Sequence, residues 1–273
     1  MKAKSRRRLL ISSVAMLLVA MLALGTATFA WFTTDTSATA DGIAFRTTKS
    51  SELKISRVDL DWTDEVHYGF NKPIKPASSA DGINWFTGVA AAKTAFDVNS
   101  TGFTAISGAA NIGDKTANSN AGPVYVFDDM LNIKNAGGTD CTNVTITVSA
   151  DFASACGRIA IVPCDAQTAA NTRSSITAAN FKANIYGSTA TRTWNGVKAA
   201  GAASESTVEA MSLKAAANNA TITVGTGTLA PDAVASYRVL VWMEGQDAAL
   251  YDQTADGLSV GSITFSVTGD TAA

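Results

Sequence analysis

Apolar and polar positions follow two regimes along this chain. Residues 9–30 form an uncharged, mostly apolar run behind a basic head of Lys2, Lys4, Arg6, Arg7 and Arg8. Beyond it, apolar residues come in short alternating stretches, the mark of strands with one buried face. Leu53-Lys54-Ile55-Ser56-Arg57-Val58-Asp59-Leu60 alternates in this way, as do residues 144–148, 220–224 and 262–267. Residues 124–127, 131–133, 158–162 and 237–242 are denser in apolar side chains. Pro163 is expected to stop the predicted strand 158–162, because it has no N–H for a ladder. Asn135-Ala136-Gly137-Gly138 marks a turn, where glycine can take positive φ. Many short strands separated by turns predict an all-β sandwich and not βαβ units.

Two stretches predict helix. Residues 204–217 set Glu205, Glu209, Leu213 and Lys214 among alanines behind Ser204 or Ser206 as cap. Residues 176–185 form a weaker helical pattern. Residues 89–120 are rich in Ala, Gly, Asn, Ser and Thr and read as an elaborated loop region. The expected organisation is a signal segment at 1–30 and one β-sandwich domain at 31–273, with excursions at 89–120 and 166–217 and a minor helical insertion.

The N-terminal pattern predicts export. A basic flank, an apolar run and small residues near its end describe a signal helix, with the positive charges kept on the cytoplasmic side. Thr28 and Ala30 supply small residues for cleavage between Ala30 and Trp31; Gly25-Thr26-Ala27 supplies another such pair. The competing reading is an uncleaved anchor, since roughly 20 apolar residues span a bilayer. The run ends in small residues and not in a second charged flank, which favours cleavage. The membrane is then met only through the signal segment. Residues 265–273 carry no apolar span, basic tail or LPxTG-like sorting sequence, so attachment to a cell is expected to be non-covalent.

Export changes the charge balance. Of 21 basic and 23 acidic residues, the first 30 positions hold 5 basic and no acidic ones, leaving 16 against 23, a net of about −7. That excludes nucleic acid as an expected partner and fits a secreted protein. Cys141, Cys156 and Cys164 are too few for a disulfide framework; a Cys156–Cys164 bridge and three thiols both remain open.

Chemistry is sparse. His67 is the sole histidine and lies in a polar, turn-like segment, with no HExxH or GxSxG pattern around it. Asp59, Asp61, Asp64 and Glu65 form one acidic cluster; Glu244, Asp247, Asp252 and Asp256 form another. Solvated loop carboxylates are the expectation for both, and calcium or glycoside hydrolysis the alternatives. Trp242 ends an apolar strand and is expected in the core. Trp85 sits in a loop, where a sugar-stacking surface role is open. No catalytic residue, metal or cofactor is assigned.

Several segments, in order, resemble one family. They are Thr28-Phe29-Ala30-Trp31-Phe32 with Ala38-Thr39-Ala40-Asp41-Gly42-Ile43; Lys75-Pro76-Ala77-Ser78-Ser79-Ala80-Asp81-Gly82-Ile83-Asn84-Trp85-Phe86; Leu131-Asn132-Ile133-Lys134-Asn135-Ala136-Gly137 with residues 143–148; and Val241-Trp242-Met243-Glu244-Gly245-Gln246-Asp247 with residues 263–267. Together they resemble exported Gram-positive proteins with SipW-dependent-type signal peptides, the group containing TasA and camelysin. The resemblance implies a jelly-roll-like β-sandwich, cleavage by a dedicated signal peptidase, and a cell-surface or biofilm-matrix role with self-association or other matrix proteins as partners. It also implies fibres in which a freed N-terminal segment completes the next subunit's sheet. Trp31, Phe32, Ile43 and Phe45 are the apolar anchors of that arm, and pairing within its own domain is the alternative. The metalloprotease label of camelysin-like members is not carried over, given one histidine and no zinc motif. A secreted carbohydrate-binding module is the second reading, and a hydrolase the third.

Overall fold

The computed structural model describes residues 16, 43–47, 53–68, 74–88, 103–106, 112–113, 125–150, 152, 155–188, 191–199, 206–247 and 263–271. The chain divides into two compact units, Met1–Ala40 and Asp41–Ala273. Within the first, Met16 alone is described, as a helical residue. The expected signal helix otherwise lies outside the described residues, as do Ala30, Trp31 and Phe32. The second unit holds all the described strands and is predominantly β.

One sheet has five strands in the order β15-β9-β17-β1-β3. These are β1 (Ile43–Thr47), β3 (Glu65–Tyr68), β9 (Cys141–Ala150), β15 (Ala220–Thr223) and β17 (Ile263–Thr271). All neighbours run antiparallel except β1 and β17, which are parallel. The larger sheet follows the path β14-β11-β10-β16-β8-β2. Its members are β2 (Leu53–Ser56), β8 (Val126–Asn135), β10 (Gly157–Cys164), β11 (Ile185–Gly187), β14 (Ala215–Ala216) and β16 (Val234–Glu244). The short β4 (Pro76–Ala77) and β7 (Ile112–Gly113) extend it beside β16 and β8. Two hairpins complete the set: β5 (Phe86–Gly88) with β6 (Phe103–Ala105), and β12 (Thr193–Ala199) with β13 (Ser206–Ser212).

The two large sheets share one apolar core. Val144, Ile146 and Val148 of β9 and Ile263, Phe265 and Val267 of β17 meet Leu131, Ile133, Ile159, Ile161, Val239 and Val241 of the larger sheet. The intervening β9 residues, Thr145 and Thr147, are half-exposed, which is why β9 and β17 alternate so regularly in sequence. The larger sheet is covered on its other face too. There Val126, Ala160, Val162, Leu240 and Trp242 pack against Trp85, Phe181, Trp194 and Met211. Burial on both faces removes the alternation from β8, β10 and β16, as it does for central strands generally.

Three expectations need correction. The described part of the predicted helix 204–217, residues 206–217, is not helix. Tertiary pairing overrides their alanine-rich propensity: β13 runs beside β12 with Met211 opposite Trp194 and Val208 opposite Val197, and Met211 and Leu213 are buried. The weaker helical pattern at 176–185 does form a helix, Ala178–Lys182, capped by Thr177, whose hydroxyl accepts from Asn180 N at 3.1 Å, and anchored by the buried Phe181. Pro163 does not end its strand: β10 continues to Cys164. There β16 still pairs with it but β11 no longer covers its other side, and a half-free edge tolerates proline. The strand begun at Leu53 ends at Ser56, after which Leu60 turns the chain at φ 60°.

Candidate functional site

The N-terminal strand β1 lies inside the five-stranded sheet. Ile43 stands opposite Ile263 of β17 on one side and Tyr68 of β3 on the other; Phe45 stands opposite Phe265 and Val66. The strands flanking the β1 slot are apolar on their core face, with Ile263, Phe265 and Val267 of β17 fully buried and Val66 of β3 nearly so. Five residues of backbone thus satisfy the facing edges of two strands at once. His67, expected in a turn, is on β3 opposite Ala44.

The face of the larger sheet turned away from the slot carries buried charge. Arg158 on β10 is 0% exposed. Its Nη1 donates to the carbonyls of Ala155 (2.8 Å) and Gly157 (2.9 Å), and its Nη2 to Asp247. Its guanidinium stacks 4.6 Å from the centroid of Trp194. Arg192 grips the same carboxylate through Nε and Nη2, the latter at 2.6 Å; that contact holds the Arg192 cation above its ordinary range. Further along the sheet, Arg238 binds Asp128 bidentately at 2.8 and 2.6 Å. On the opposite face, that of Phe127 and Leu131, Arg57 donates to Asp129, at 3.0 Å from Nε. Burial pushes the Asp129 carboxyl up, and the Arg57 charge opposes it. Ser236 and Gln167 close a neutral network on Asn132.

Glu244 differs from these. It is fully buried at the end of β16. Its Oε2 accepts from Trp242 Nε1 at 2.9 Å and its Oε1 from the main-chain N–H of Gln246 at 3.0 Å. Burial pushes its carboxyl up to about 7, against the pull of the Trp242, Ser78 and Gln246 hydrogen bonds and the Arg158 charge.

These placements correct the reading of the second acidic cluster. Glu244 and Asp247 are buried structural groups and not solvated loop carboxylates; Asp252 and Asp256 lie outside the described residues. In the first cluster Asp64 pairs with Lys54 at 2.6 Å and Asp59 accepts from the Asp61 N–H. Among the described residues no three His, Cys, Asp or Glu side chains are grouped to hold a metal ion. Trp85 is 4% exposed, edge-on to Trp242 at 5.2 Å and to Phe181 at 6.1 Å. It is a core residue, so the surface sugar-stacking role has no platform there. Trp242 is buried as expected. The three cysteines stand as thiols with no disulfide. Cys164 borders a depression of about 290 Å³ with Asp165, Ser175 and Thr177, and burial pushes its thiol up to about 11.

The charged pairs were visible in sequence only as anomalies: Arg158, Arg238 and Asp128-Asp129 interrupt otherwise apolar strands. Each buried charge needs a partner, and those partners lie up to 110 residues away. Scans of the chain against protein-family models, curated proteins and solved structures find no match.

Proposed function

We propose that the chain is an exported, non-enzymatic structural protein of the cell surface or extracellular matrix, and that it polymerises by exchanging its N-terminal strand between copies. The observation that carries this reading is the position of β1. It is short, it comes from the N-terminal end of its unit, and it fills a slot between β17 and β3, whose core-facing residues are buried and apolar. An extended segment from a second copy would make the same ladder in the same slot, main chain giving affinity and alternate side chains giving register. Exchange of this kind is head-to-tail and builds open filaments unless the rotation closes a ring. Each anchor buried contributes about 1.5–3 kcal/mol, offset by the ordering of the arm. Before cleavage after Ala30 the arm is tethered; afterwards Trp31, Phe32, Ile43 and Phe45 are free to reach a neighbour.

We also propose that the sandwich is jelly-roll-like. Its support is the path of the chain, which crosses between the two large sheets at β1, β2, β3 and β4, again at β8, β9 and β10, and again at β15, β16 and β17. The functional test removes residues 31–48. The shortened protein is expected to stay monomeric in analytical ultracentrifugation and to bind an added peptide of residues 31–48, while the cleaved full-length form makes filaments visible by electron microscopy. A cleaved form that stays monomeric at every concentration and pH overturns the proposal.

A further inference from the structure

Four charged side chains meet where β16 ends: Glu244 and Asp247, Arg158 and Arg192. Both guanidiniums direct hydrogen bonds to Asp247. Glu244 receives only uncharged donors: the Trp242 indole, the Gln246 N–H and the Ser78 hydroxyl. It is a carboxylate in a dry site, held by dipoles, and both neighbouring guanidiniums are hydrogen-bonded to Asp247 and not to it. Their one uncompensated positive charge opposes burial, which is the larger effect and favours the neutral form.

The position of Glu244 ties this chemistry to the outer layer. Its backbone pairs with Ala77 of β4, and the Gly245 N–H donates to the Ala77 carbonyl at 2.9 Å. Ser78 also accepts from Val197 N of β12 at 3.2 Å, and Ala80 N donates to the Val197 carbonyl at 2.7 Å. Trp242 packs on Trp85 and Phe181. One buried carboxyl therefore sits at the junction of β16, the 76–86 segment and the β12–β13 hairpin. We infer that Glu244 is a proton-operated latch that holds this outer layer on the larger sheet when neutral and loosens it when ionised.

The groups that face it are Arg158 on β10, Cys156 just before β10, Arg192 ahead of β12, Asp247 and Gln246 in the turn after β16, and the uncharged Ser78 beside β4. The folded carboxyl, at about 7, holds its proton more tightly than the exposed one, which titrates near 4.3. The stabilisation is thus complete below about pH 4.3 and is lost as pH rises through about 7. This goes beyond the assembly reading and does not depend on it.

The test is amide hydrogen exchange of the full chain from pH 4 to 9, corrected for intrinsic chemistry. Opening at the Ala80 and Val197 amides is expected to increase by roughly 300-fold across that range, while Ile146, in the core of the five-stranded sheet, does not follow it. Glu244→Gln should hold the outer layer closed at high pH and flatten the profile. Trp242→Phe, which removes one donor to the ionised form, should move the midpoint above that of the parent. An unchanged profile in Glu244→Gln, an unmoved midpoint in Trp242→Phe, or a parallel rise at Ile146 overturns the latch.

Discussion

Replacing Asp247 with Asn removes one charge and almost no volume. Two guanidiniums share that carboxylate, and they differ in exposure: the Arg158 side chain is 0% exposed and that of Arg192 is 27%. Arg192 regains water and loses little, as exposed pairs do. Arg158 cannot, and leaving one partner of a buried pair alone costs about 3–5 kcal/mol. In a unit of this size each kcal/mol lowers the melting temperature by about 2–4 °C, so Asp247→Asn should melt about 6–20 °C below the parent. The loss should be smaller at pH 8 than at pH 6, because ionised Glu244 then offers Arg158 a substitute counter-charge. Urea unfolding with an unchanged slope measures the loss directly. A companion Arg158→Met, combined with Asp247→Asn, should be more stable than Asp247→Asn alone, since the orphaned charge goes with it. An Asp247→Asn protein within 0.5 kcal/mol of the parent would refute the claim that Arg158 depends on this buried carboxylate.

Other perturbations test other parts of the fold. Gly82 has φ +71°, and a Cβ there would lie 2.5 Å from the Phe181 ring, so Gly82→Ala should lower the urea midpoint by an amount equivalent to about 1–3 kcal/mol. Trp85→Ala should cost about 3–5 kcal/mol as a core truncation; glycan pull-down lost without any loss of stability would contradict its burial. Alkylation of Cys164 should run roughly two orders of magnitude slower than that of an ordinary exposed thiol at pH 8, because burial suppresses the thiolate. A rate matching that of a small-molecule thiol would count against that environment.

The legibility of this chain in its sequence followed burial. Strands with one wet face, β9 and β17, keep strict alternation, and their positions could be read within a few residues. Strands buried on both faces, β8, β10 and β16, read as apolar runs broken by Arg158, Arg238 and Asp128-Asp129. Those breaks are buried ion pairs that the sequence reading passed over, because the partners are far apart in sequence and no local pattern names them. The β12–β13 hairpin was missed because alanines mask β13 and Gly196 interrupts β12. The glycine has a tertiary cause: a Cβ there would come 2.9 Å from the Ser79 carbonyl oxygen, an approach set by the 76–86 segment over 100 residues earlier. Glu244 followed Trp242-Met243 at a strand end and looked like the start of a wet turn. Only the layer folded over it makes it a buried acid.

The direct test of assembly is to ask whose β17 pairs with β1. Ile43 and Ile263 are register partners, and neighbouring strands lie about 4.8 Å apart, within the range a disulfide spans. Two cleaved proteins, one carrying Ile43→Cys and the other Ile263→Cys, both with Cys164→Ser, would be mixed under assembly conditions, oxidised and run on non-reducing gels. Strand exchange predicts a cross-linked heterodimer whose yield rises with protein concentration and falls when unlabelled cleaved protein is added as competitor. The contradictory result is no cross-link in the mixture, together with complete intramolecular closure in a single chain carrying both cysteines at every concentration.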